Sequence, residues 1–291
     1  MQIAITLVSP DPAATEQARA RLLPLLGRVE AASLGAGALD IVVEAQDLLA
    51  LRAQVDHALK DHCVDHCVQV AEGRRKLLLI ADMDSTMIGC ECLDELADFA
   101  GVKAVVAAIT ERSMRGELDF EAALRERVAM LKGLPVSVLQ TCYDERVRLN
   151  EGAKTLIGTM AASGARCLLV SGGFTFFTAR VAAAAGFAGD RANRLIEVDG
   201  VLTGAVAEPI LGKAAKQASL EQEAKALGLD LSQTIAIGDG ANDLAMIEVA
   251  GLGIAYRAKP IVAAKAHARI DYSDLTALLY FQGYTQDAFI G

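Results

Sequence analysis

The segment "KLLLIADMDSTMIGCECLDE" runs through five apolar residues, Leu77 to Ala81, into two carboxylates two positions apart, Asp82 and Asp84. A short continuous apolar run marks a strand buried on both faces of a parallel sheet. An ionised carboxylate at the end of such a run is costly unless something compensates it. Asp82 and Asp84 therefore belong at a strand edge, on a cation, or both.

Three more apolar runs lead into or follow polar turns. Cys167–Val170 ends at Ser171-Gly172-Gly173, Thr234–Gly238 ends at Asp239 with Asn242 and Asp243 just beyond, and Leu252–Tyr256 comes next. Helical stretches separate them. From Lys76 onward the chain reads as an α/β protein with a Rossmann-like core, a parallel sheet with helices on both faces. Ligands of such sheets bind outside the carboxyl ends of the strands, so the polar clusters should share one edge. The interval from Gly89 to Asn150 is too long for one crossover helix. It holds four helical segments ("CLDELADFAG", "VKAVVAAITERSM", "FEAALRERVAMLKG" and "PVSVLQTCYDERV") and no convincing strand, so about residues 90–150 read as an inserted helical cap. In "RLIEVDGVLTGAV", Asp199-Gly200 lies between two strand-like runs, a two-residue hairpin signal.

The chain before Lys76 looks separate. "QIAITLVS" is strand-like, "TEQARARLLPLLGRV" has helical spacing interrupted at Pro24, and "EAASLGAGALDIVVEA" offers two short strands. "LLALRAQVDHALKDH" is an amphipathic helix and "CVQVA" a last strand. That order fits a small α+β module of ferredoxin-like type, which divides the chain at 1–72 and 73–291. Within it, "DHCVDHC" sets His62 and His66, and Cys63 and Cys67, four apart. On a helix this would suit zinc, but the spacing differs from four-ligand signatures, and a helix-to-strand junction is the simpler reading.

The totals exclude some functions. A net charge of −9 with no Lys/Arg block argues against a nucleic-acid partner. No apolar run approaches membrane-spanning length, and the first residues lack the pattern of a signal peptide. Six cysteines in this setting read as reduced thiols and point to the cytoplasm.

The residue types at the sheet edge suit phosphoryl transfer. A carboxylate can attack phosphorus and form an aspartyl phosphate. Mg²⁺ takes oxygen ligands, few of them from protein. Lys216, on a helix upstream of the third strand, and Ser171 can hold phosphate oxygens, and the N–H groups around Gly172 add an anion site.

"DMDST", "SGG", a helical lysine and "GDGAND" together resemble the four motifs of the haloacid dehalogenase superfamily, in the right order. The likeness extends to the phosphoserine phosphatase family through "IGCECLDELA", which puts Glu91 seven residues after Asp84, and through the cap segment "SMRGELDFEAALRERV". The residues before the core resemble the ACT-like module of longer bacterial members. The resemblance implies Asp82 as nucleophile and Asp84 as general acid and then base. It implies Mg²⁺ on Asp82, Asp239 and the Asp84 backbone carbonyl, with Asp243 supporting that shell. It implies Ser171, Gly172, Lys216 and Asn242 around the phosphate of O-phosphoserine. Lys213 is a rival to Lys216, which is preferred because its 23-residue distance to Asp239 fits the family. In the cap, Arg127 would take the substrate carboxylate, Glu91 its ammonium, and Met114 and Phe120 would form the apolar wall. Other readings stay open here: a phosphatase or phosphotransferase acting on another phosphorylated amino acid, or an amino-acid sensor with an idle core, against which the intact carboxylates argue. A homodimer is also left open.

Overall fold

Local chemistry sets the first elements. The computed structural model describes residues 1–27 and 29–291, with Lys213 described through its backbone only. Strand β1 (Gln2–Val8) is buried after its first residue. Helix α1 (Pro12–Leu26) starts where Asp11 accepts the Ala13 N–H and proline occupies the first helical position, an N-terminus already matched to proline's missing donor. Pro24 lies in its last turn and does not end it. After β2 (Val29–Gly35) and β3 (Ala38–Glu44), Asp47 caps α2 (Leu48–Leu59), and β4 (Asp65–Val70) completes an antiparallel sheet of order β2-β3-β1-β4. Both helices lie on one face, where Leu22, Val55 and Ala58 meet Ile3, Ile5 and Ile41. The segment holding His62 and His66 crosses from the end of α2 into β4, and His66 pairs with Asp56 at 2.7 Å.

The core begins at β5 (Leu78–Ala81) and departs at once into the cap helices α3 (Cys92–Phe99), α4 (Lys103–Met114), α5 (Phe120–Ala129) and α6 (Ser137–Arg146). The chain returns through α7 (Ala153–Ala162), β6 (Arg166–Phe174), α8 (Thr175–Ala185), β7 (Gly189–Asn193), β8 (Leu195–Val198), β9 (Val201–Val206) and α9 (Lys213–Ala226). It ends with β10 (Thr234–Gly238), α10 (Leu244–Val249), β11 (Leu252–Tyr256), α11 (Pro260–Ala263), β12 (Ala268–Ile270) and α12 (Ala277–Phe281). Six parallel strands form a sheet of order β12-β11-β10-β5-β6-β7. Alternate residues of β5 enter opposite cores. Leu79 and Ala81 pack with α7, α8 and α12, whereas Leu78 and Ile80 pack with α9 and α10. This is why the run is apolar without alternation.

The cap is joined to the core through paired linkers, with an antiparallel bridge from Ile88 to Leu149 and bonds from Gly89 N to Arg148 O and from Asn150 N to Met87 O. The hairpin β8–β9 turns at Asp199 (φ 50°) and Gly200 (φ 77°), the left-handed pair that a two-residue turn needs. It braces the cap from outside its own segment, by a bridge from Val201 to Pro135.

The N-terminal module does not stand apart from the core. Val8, Leu34, Ala38 and Cys67 belong to the same apolar cluster as Leu278, Leu279 and Phe281 of α12. The Asp65 carboxylate accepts N–H bonds from Asp271 (2.7 Å), Tyr272 (3.2 Å) and Ser273 (2.7 Å), and Gln69 Nε2 donates to Phe281 O at 2.7 Å. Asp65→Asn puts an amide NH₂ against backbone donors. It should lower unfolding stability by about 2 kcal/mol, the cost of leaving buried donors unmatched. Urea unfolding checks this, and an unchanged midpoint would contradict the docking role.

Candidate active site

Asp82 stays in register one residue past β5, because its N–H donates to Ile237 O of β10 at 3.0 Å. The chain then folds back on itself: the N–H groups of Thr86, Met87 and Ile88 all point to Met83 O, and Ser85 takes a left-handed φ of 56°. This tight turn sends Asp82 and Asp84 to the same side of the sheet edge. Asp84 Oδ1 accepts the N–H of Cys92, the first residue of α3, at 2.9 Å. Its Oδ2 lies 3.4 Å from Ser171 Oγ, which itself accepts the Gly173 N–H at 2.8 Å. The two glycines after Ser171 answer to close approaches. A Cβ on Gly172 would sit 2.6 Å from the Phe120 ring, and one on Gly173 would sit 2.8 Å from Asp84 Oδ2.

Asp243 organises the loop after β10. Its Oδ2 accepts the N–H groups of Asp239 (3.2 Å) and Gly240 (3.1 Å), and its Oδ1 accepts Lys216 Nζ at 2.6 Å. Gly238 is needed here, since a Cβ would lie 2.4 Å from that carboxylate. Lys216 is fully buried and also donates to Asp82 Oδ1 at 2.5 Å. Burial alone would lower its pKa, but Asp243 and Asp82 outweigh this and hold it charged. The side chain of Lys213 lies outside the described residues.

The remaining carboxyls stay raised, Asp82 even with Lys216 beside it. Burial, and then Asp243, push Asp82 up to about 7 despite Lys216. Burial pushes Asp239 well above the usual carboxylate range, with Glu91 and Asp82 adding to it. Asp239 has one side-chain hydrogen bond among the described residues, a long one of 3.3 Å from Thr86 Oγ1. Oxygen atoms of Asp82, Asp239 and Asp243 lie within 4.8 Å of one another. A buried, all-oxygen acceptor set in which Asp239 has only that one long bond among the described residues fits a hard divalent cation. Asp84's side chain is outside that cluster.

The cap closes the site. Glu91 Oε1 accepts Ser85 Oγ at 2.6 Å, and burial, then Asp84, push its carboxyl up to about 8. Arg127 is buried, donates to Ala123 O and Thr110 Oγ1, and has its pKa lowered by burial. Met114 reaches across to the core, where its carbonyl accepts the Ala241 N–H at 3.0 Å. One chamber is lined by Asp82, Asp84, Glu91, Arg127, Ser171 and Asn242, with Met114, Phe120 and Gly172 completing its wall. Asn242 Oδ1 is buried there without a partner among the described residues. Lys216, Asp239 and Asp243 lie behind Asp82. The free space is about 40 Å³, room for a few waters, so a substrate needs the cap displaced.

Several contributors carry no role in the sequence reading. Thr86 stands inside the quoted "DMDST" motif and bonds Asp239. Asn193 of β7 holds Gly172 O at 2.8 Å and Leu211 N at 2.6 Å, tying the glycine turn to the approach of α9. Asn150 holds Thr86 O at 2.8 Å from the cap linker. Each is a lone polar residue, and no local spacing singles out Asn193 or Asn150.

Residues 79–248 match the haloacid dehalogenase-like hydrolase family, and the proposed nucleophile, lysine and metal carboxylates all fall inside that stretch. The chain belongs to this family. It is a hydrolase. The phosphoserine phosphatase of Streptococcus thermophilus is 51% identical over 200 residues, 69% of this chain and 93% of that protein. The crystal structure of a HAD family hydrolase from Salmonella enterica serovar Typhi superposes with a TM-score of 0.85 at 32% identity, over 96% of this chain and 98% of that one. That likeness takes in the N-terminal module. A phospho-aspartyl intermediate analogue of phosphoserine phosphatase matches with a TM-score of 0.68 at 41% identity, over 71% of this chain and 99% of that one. Among the described residues of this hydrolase, no helix is long and apolar enough to cross a membrane.

The raised carboxyls make cation binding pH-dependent. A cation favours the ionised form, so binding must expel protons held by Asp82 and Asp239. Divalent-cation affinity should therefore rise as pH climbs through about 7, with proton release on titration in weak buffer. A dissociation constant unchanged between acid and alkaline conditions would contradict this arrangement.

Proposed function

We propose that the chain is a Mg²⁺-dependent phosphoserine phosphatase, hydrolysing O-phospho-L-serine to L-serine and phosphate, the last step of serine biosynthesis. One observation carries it: the chamber above Asp82 presents Arg127 and Glu91 together on its cap side. A fixed guanidinium and a carboxyl suit the carboxylate and ammonium of an amino-acid phosphate. The names of the relatives point the same way. Chemistry lies in residues 73–291, with residues 1–72 as the ACT-like module, and the free cysteines agree with a cytoplasmic enzyme.

Asp82, Asp239 and the Asp84 carbonyl would hold Mg²⁺, with Asp243 fixing the loop beneath. When bound, the ion neutralises carboxylate and phosphoryl charge. A carboxylate oxygen of Asp82 bonds to phosphorus as the ester P–O bond breaks. Asp84, whose pKa burial raises even though the Cys92 N–H opposes it, supplies the proton to the departing seryl oxygen. The resulting Asp84 carboxylate then takes a proton from water as the water oxygen bonds to phosphorus. The bond to Asp82 breaks and its carboxylate is restored. Ser171, the Gly172 turn and Asn242 hold the phosphoryl oxygens, and Lys216, bonded to Asp82 from behind the chamber wall, adds its positive charge to them. Phe120 and Met114 exclude bulk water.

Phosphate release from a panel of phosphomonoesters, with and without Mg²⁺, tests the reading. Phosphoserine should lead, and only with the metal. Arg127→Ala should raise KM for phosphoserine about ten- to 150-fold, the loss of a charge-assisted bond, while barely touching an ester without a carboxylate. Equal losses on both would assign Arg127 to the fold or the phosphate.

A further inference from the structure

Arg127 is a buried guanidinium without an ion pair among the described residues. Its Nε donates to Ala123 O at 3.1 Å and its Nη1 to Thr110 Oγ1 at 2.8 Å. The Thr110 hydroxyl donates in turn to Asp94 Oδ1 at 2.5 Å. The direction of this chain follows from the groups. A guanidinium only donates, an ionised carboxylate only accepts, and a hydroxyl passes on one proton. The members come from three of the four cap helices, Asp94 from α3, Thr110 from α4 and Arg127 from α5. Thr110 and Arg127 are 4% and 6% exposed, which shields the bond between them from water.

We propose that Thr110 is a positioning residue, which orients Arg127 for the substrate carboxylate while keeping Asp94 one hydroxyl away from the guanidinium. The proposal rests on the phosphoserine reading above. A direct Asp94–Arg127 pair would be a strong fork of parallel bonds and would compete with the substrate for the same donors. A neutral hydroxyl fixes the guanidinium without neutralising it, and Nη2 is left with no partner among the described residues. Burial lowers the pKa of Arg127, and the charges of Glu91 and then Asp94 oppose that effect through space. Successive bonds pointing one way polarise each other, which stiffens the arrangement. Arg127 therefore meets its ligand already oriented, and little side-chain freedom is lost on binding. A plain brace between helices would behave differently, because its loss would loosen the cap for every substrate alike.

Thr110→Val keeps the shape of the side chain and removes both bonds. The full-length protein with Mg²⁺ is assayed on O-phosphoserine and on O-phosphoethanolamine, which keeps the ammonium and lacks the carboxylate. KM for phosphoserine should rise about tenfold with kcat within about twofold, and phosphoethanolamine kinetics should stay within about twofold of wild type. Thr110→Ser should restore the wild-type KM, because it restores the hydroxyl. Equal losses on both esters, an unmoved KM for phosphoserine, or no rescue by serine overturns the proposal. If Thr110→Val does not fold, judged by thermal unfolding, Thr110→Ala measured against Thr110→Ser makes the same comparison. Failure of the underlying reading looks different. Wild-type enzyme would then show no preference for phosphoserine over phosphoethanolamine, which also removes the basis of the proposal. A normal wild-type preference that Thr110→Val leaves intact sinks the positioning role alone.

Discussion

The charge collected at the carboxyl edge of the sheet governs the rest of the molecule. Asp82, Asp84, Glu91, Asp239 and Asp243 converge there, with Lys216 and Arg127 as the facing cations. Each ion taken out of water costs several kcal/mol unless it is paired and hydrogen-bonded. The protein answers in layers. Lys216 bridges Asp82 and Asp243. Backbone N–H groups from the loop after β10 serve Asp243, and the first N–H of α3 serves Asp84. What is left over, chiefly on Asp82 and Asp239, raises their pKa values and makes room for a divalent cation.

The same excess explains the division of labour. The core can supply the phosphoryl chemistry because three strand ends bring their carboxylates and N–H groups to one point. The cap can supply selectivity because Glu91, Met114, Phe120 and Arg127 sit on elements that connect to the core through one pair of linkers, tied at Ile88–Leu149 and by Asn150. Glu91 stands between the two parts. It follows the nucleophile turn directly and is the N-cap residue of the first cap helix. Closing the cap completes the constellation, since Phe120 packs against Gly172 and Met114 against Gly240. Exclusion of water then strengthens every charge interaction inside.

Much of this was legible in the sequence because it is local. The apolar runs at β5, β10 and β11 have no alternation, as strands covered on both faces should not. Asp199-Gly200 signals its own turn, and "DMDST" and "GDGAND" place carboxylates within a few residues of strand ends. What stayed hidden depends on contacts between distant segments. The edge strands β7, "GDRAN", and β12, three residues long, have no apolar run because an edge strand has a single neighbour. The bridging of Asp82 and Asp243 by Lys216, the Asn193 clamp and the Asp65 bonds to residues 271–273 join parts of the chain that no local spacing relates. The shared core between the first module and α12 is of the same kind, since Val8 and Phe281 look like ordinary core residues of separate units until they meet.

The account turns on Asp82 forming a covalent bond to phosphorus. Rapid acid quenching of enzyme mixed with ³²P-labelled phosphoserine and Mg²⁺, followed by peptide mapping, addresses that bond directly. The account predicts an acid-stable, base-labile label on the peptide carrying Asp82, rising before phosphate is released and missing from Asp82→Asn. Label on another residue, or an Asp82→Asn enzyme that still turns over at the wild-type rate, would contradict it.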